Sequence, residues 1–104
     1  MADNPWCQNE KEYCAYLAHE RHMFAWCLSE IGGFTSDEAH HSALKRYPYE
    51  PPGDEYRGLI FHDEAWHYAM WHLHGEQYWA SGRASSSPSI DYRAESDRLS
   101  KATG

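Results

Sequence analysis

The segment FHDEAWHYAMWHLHGEQYW, residues 61 to 79, holds four of the chain's eight histidines and three of its five tryptophans. Imidazoles and carboxylates at helical spacing can ligate a metal or move a proton, whereas indoles bury area, so the segment is either a site or a core. Glu64 and His67 stand three apart, the spacing at which helical bundles turn a carboxylate and an imidazole toward a metal, and His74 follows two turns later. Upstream, His19 and His22 are also three apart, with Glu12 two turns before His19. Together His19, His22, Glu64, His67 and His74 compose a candidate metal site. Zinc accepts tetrahedral nitrogen and oxygen ligands, while iron or manganese suits a mixture of carboxylates and imidazoles. A metal there would open a hydrolase or oxygen-handling reading.

The same residues limit that reading. A ferritin-like pair of irons needs two Glu-x-x-His pairs and two more glutamates, and this chain has one such pair unless a twofold dimer supplies the second. His19-Glu20-Arg21-His22 is one residue short of H-E-x-x-H. Asp63 and Glu64 beside four histidines suit general acid/base work, yet no nucleophile is marked for them. Cys27, in an apolar stretch, reads as an inert space-filler, and His40-His41 as solvated. No catalytic residue is therefore assigned, and no cofactor is expected beyond that transition metal.

The elements that must position these groups are helices. The chain has no Val and only three Ile, against sixteen Phe, Trp and Tyr, so strands lack β-branched material and rings must supply much of the core. A first helix is predicted from about Asn9 to Ile31, stopped by Gly32-Gly33, with Tyr13, Cys14, Leu17, Phe24, Ala25 and Leu28 on its inner arc and Arg21 interrupting it. Thr35-Ser36-Asp37-Glu38 reads as a capping box behind the staple residue Phe34, opening a second helix to about Arg46 that Pro48 ends. YPYEPPGDEYRG, residues 47 to 58, is a proline- and tyrosine-rich loop that packs over the helices or forms a lip over a pocket.

The third helix begins between Asp54 and Asp63 and ends either at Gly75 or, because a mid-helix glycine costs only about 1 kcal/mol, near Trp79; a break followed by a short helix through EQYWAS is equally open. If residues 60 to 78 form one helix, Ile60, Glu64, His67, Trp71, His74 and Tyr78 share an arc of about 80° and Ala65, Trp66, Ala69, Met70 and Leu73 another. An isolated surface helix needs one apolar stripe, so one arc should meet the chain's core and the other a second copy, through Phe61, Tyr68, Trp71 and Tyr78. Residues 1 to 80 thus read as a compact domain. Residues 81 to 104 read as a Ser-rich tail with a short helix from Tyr92 to Ala102, ordered by packing on the body or on a second subunit.

The expected architecture is all-α: a small bundle of three main helices, a short C-terminal helix, and the long Pro/Tyr loop between the second and third. Net charge is −7, with thirteen acids against five Lys and Arg in residues 1 to 80, which disfavours a nucleic-acid partner. Cys7, Cys14 and Cys27 follow no paired spacing and suit a reducing compartment. No basic-then-apolar leader or long apolar run is present, so a cytoplasmic protein without membrane contact is expected. The preferred function is self-association and contact with a partner protein through an acidic, aromatic-rich surface. The alternative is a metal- or small-ligand-binding module between the first and third helices.

Overall fold

The computed structural model describes residues 10–75, 77–80, 82 and 84–103, and among them every regular element is helical. Helix α1 spans Glu10–Glu30, α2 Ser36–Arg46, α3 Ala65–His74 and α4 Ile90–Thr103, with a 3-10 turn over Leu59–His62. None is long and apolar enough to cross a membrane. Helix α1 is the hub against which α2, α3 and α4 each pack. Asn9 and Cys7 lie outside the described residues, as do Glu76 and Ser81 at the two ends of EQYWAS.

The inner face of α1 carries Tyr13, Leu17, Phe24 and Leu28, all buried, as the wheel predicts. Cys14 is exposed, with its thiol turned one helical turn back to Glu10. Met23, Cys27 and the carboxylate-bearing Glu20 are buried instead. Burial pushes the Cys27 thiol up to about 12, so it remains protonated and packs as a small apolar group. Arg21 reaches a carbonyl rather than an acid, donating from Nε to Tyr47 O at 2.8 Å.

The turn between α1 and α2 follows its local code. Glu38 N–H donates to Thr35 Oγ1 at 3.2 Å and Thr35 N–H to the Glu38 carboxylate at 3.0 Å, closing the capping box. These bonds hold the Glu38 carboxyl below its usual range. Gly32 is required by space: a Cβ there would come within 2.6 Å of Leu73 and 2.8 Å of the Leu28 carbonyl oxygen, where α3 crosses the end of α1.

Helix α3 starts later than the sequence pattern suggests. Gly58 takes a left-handed conformation (φ 82°), residues 59–62 wind into the 3-10 turn, and Asp63 and Glu64 are extended, so the first α-helical residue is Ala65. The C-terminal end falls at Gly75, whose φ of 88° suits a residue without a side chain. Ala65, Trp66, Ala69 and Met70 face the core. Helix α4, with 14 residues, is longer than α2 (11) or α3 (10), which corrects the expectation of a short terminal helix. It starts two residues early because the Ser89 hydroxyl accepts from Tyr92 N–H at 3.1 Å and caps the first turn.

Candidate functional site

The five residues expected to share a metal do not gather into one group among the described residues. Glu64 is the N-cap of α3 rather than part of its first turn, and its carboxylate is gripped by both terminal nitrogens of Arg93, at 2.6 and 3.2 Å. His67 shares a 3.1 Å hydrogen bond with the Tyr78 hydroxyl. His22 donates to Glu95 at 2.7 Å, and Arg98 with His22 holds that carboxyl down to about 2. His19 joins Glu20 and Ser96, while His74 borders a separate hollow with Ile31 and Ile90. Among the described residues no three His, Cys, Asp or Glu side chains are grouped to hold a metal ion. Residues 60 to 78 are not one helix: Asp63 and Glu64 are extended, so Ile60 is cut off from the arc of α3, while Glu64 and His67 still border the same hollow.

The aromatic expectation divides differently. Tyr78 is buried at 1 % exposure because residues 77–80 fold back over α3 and set it beneath His67. Phe61 is half-buried against Tyr16, with ring centroids 4.6 Å apart. Tyr68 is half-buried, donating its hydroxyl to Ile60 O at 3.0 Å. Trp71 and Trp79 remain open, 38 % and 49 % exposed, and the His67 ring lies 6.1 Å from each. The Arg46 guanidinium covers this ledge, 5.1 Å from the Tyr68 centroid and 5.7 Å from that of Trp71.

The ledge has polarity along its length. At the head of α3, His62, Asp63, Glu64 and His67 line an open hollow of about 230 Å³. Toward its tail, His41, Lys45, Arg46 and His72 line another of about 320 Å³. Acid at the N-terminal end and base at the C-terminal end match the helix dipole. The charged rim of the aromatic surface is therefore mixed, and basic at one end, not uniformly acidic.

A second constellation escaped the sequence reading. Glu20 is buried at 3 % exposure and accepts from the backbone N–H of Ala65, supplying from α1 the cap that Glu64 does not give. Burial raises its carboxyl above the usual range. Its neighbour His19 reaches Glu20 through Nδ1 at 3.0 Å and Ser96 Oγ on α4 through Nε2 at 3.1 Å. One tautomer satisfies both bonds: Nδ1–H donates to the carboxylate while Nε2 accepts from the hydroxyl. Ser96 lies 77 residues from His19, on the helix expected at the end of the Ser-rich tail, so no local pattern joins the two.

No protein family, curated protein or solved structure matches this chain. Its function must be argued from its own surface.

Proposed function

We infer that this small helical protein works by contact, self-associating through the α3 ledge and presenting the assembled surface to a partner protein in the cytoplasm. The observation that carries this reading is the order of groups along the ledge: Asp63 and Glu64, then His67, Trp71 and Trp79, then Lys45, Arg46 and His72. A strip that is acidic at one end, aromatic in the middle and basic at the other is self-complementary under a twofold axis. Antiparallel docking sets each acid end against the partner's basic end and stacks the open indoles together. Aromatic residues and arginine are also the types that dominate contact energies once water is excluded. Net charge of −7 opposes association at long range, so the favourable pairing must be local, as this strip makes it.

The metal-binding alternative lacks equal support, because His19, His22, Glu64 and His67 each answer to a different partner. The self-association reading is tested by sedimentation of the wild type and of Trp71→Glu at matched concentrations. A dimeric wild type and a monomeric mutant with unchanged helical circular dichroism are expected. A monomeric wild type, or a mutant that remains dimeric, refutes it.

A further inference from the structure

The His19 constellation has the connectivity by which enzymes raise the nucleophilicity of a hydroxyl: a buried carboxylate fixes an imidazole, whose other nitrogen faces a serine. Two features favour a reactive role over simple adhesion between helices. The carboxylate is itself anchored by the Ala65 N–H, so Nδ1–H has a fixed acceptor and Nε2 is left basic toward Ser96. His19 also keeps 26 % of its side chain exposed and Ser96 is half-buried, so a small reagent can reach them, whereas Glu20 is shielded.

We propose that Ser96 is a nucleophile toward uncharged carboxylic esters, with His19 as its general base and Glu20 as the positioning residue. The Ser96 proton passes to His19 Nε2 as the Oγ electron pair bonds to the carbonyl carbon and the C=O pair moves onto oxygen. When the adduct collapses, the bond to the alkoxide breaks and His19 returns the proton to that oxygen, releasing an alcohol and leaving acyl-Ser96. Water repeats the sequence, giving up a proton to His19, and the carboxylic acid leaves as Ser96 recovers its own. This activity is independent of self-association, since none of the three residues lies on the α3 ledge.

The test uses a fluorophosphonate, in which Oγ–P forms, P–F breaks and fluoride departs. One adduct per chain is expected, mapped to Ser96 by peptide mass. His19→Gln should slow labelling by about 100-fold, the scale of general-base catalysis, and Glu20→Gln by about tenfold. Absence of an adduct on Ser96, or labelling of His19→Gln at the wild-type rate, overturns the proposal. Ser96→Ala, which removes only a half-buried hydroxyl, should abolish the adduct, and labelling of that variant at the wild-type rate overturns the proposal equally.

Discussion

Replacing Arg57 with alanine is expected to lower the thermal midpoint by on the order of 10 °C, more than truncation of any exposed residue. Arg57 is 1 % exposed, although a charged side chain in a loop of prolines, glycines and tyrosines is ordinarily left in solvent. Its guanidinium lies 3.8 Å from the Tyr13 ring centroid, donates from Nε to Glu50 O at 2.8 Å, and pairs with Glu10 while touching the Tyr49 hydroxyl at 3.3 Å. The Tyr49 hydroxyl and Arg57 together hold the Glu10 carboxyl below its ordinary value. Around this centre the loop closes on α1: Glu50 N–H donates to the Tyr13 hydroxyl, and Gly58 N–H to the Glu50 carboxylate. Removing the guanidinium empties a buried position against Tyr13 and takes the donor from the part-buried Glu50 carbonyl, whereas Glu10 and Tyr49 are about half exposed and can turn to water. Arg57→Lys should recover little, because a single ammonium cannot reproduce the planar fork and its stacking. A midpoint within about 2 °C of wild type in Arg57→Ala would show that the loop is held by its other contacts.

The second large effect is expected at Trp66. Its ring is buried, stands 5.6 Å from the Tyr92 ring of α4 in an edge-to-face arrangement, and its Nε1–H donates to Ser85 O at 3.0 Å. One side chain of α3 thus ties down both the connecting segment and the last helix. Truncation to alanine should cost about 3–5 kcal/mol in denaturant unfolding, the range for large buried aromatics. Trp66→Phe keeps most of the packing and should cost only about 1 kcal/mol for the lost hydrogen bond. In the alanine variant the amides of α4 should exchange with solvent before those of α1. A loss under about 1 kcal/mol for Trp66→Ala would mean that α4 is held by its polar contacts with α1 and not by this ring.

What the sequence makes legible is local. The Thr35–Glu38 box, the Pro48 stop, the Gly75 end of α3 and the inner face of α1 are each encoded within a few residues of where they act. Periodicity misleads at residues 60 to 64, where apolar spacing runs on through a backbone that Gly58 and an extended Asp63–Glu64 pair divert. That diversion makes Glu64 the N-cap of α3, where its carboxylate meets Arg93 of α4. Arg57 and Glu20 are invisible for another reason: residue type places charges outside, and only tertiary partners make their burial tolerable. The attachments of α4 join positions such as His22 and Glu95, 73 residues apart, for which no window of sequence carries a signal.

Self-association through a polar strip is the central claim, and charge reversal tests it most directly. Lys45 and Asp63 are suited to this because, among the described residues, neither forms an ion pair within the chain. Antiparallel docking brings the Lys45 end of one copy to the Asp63 end of the other, and the twofold axis makes each substitution count twice. Sedimentation equilibrium should show Lys45→Glu and Asp63→Lys each weakening the dimer by about tenfold or more through like-charge contact, with the double variant recovering most of the wild-type affinity. Weakening by both single substitutions without recovery in the double variant, or no weakening by either, would contradict the account.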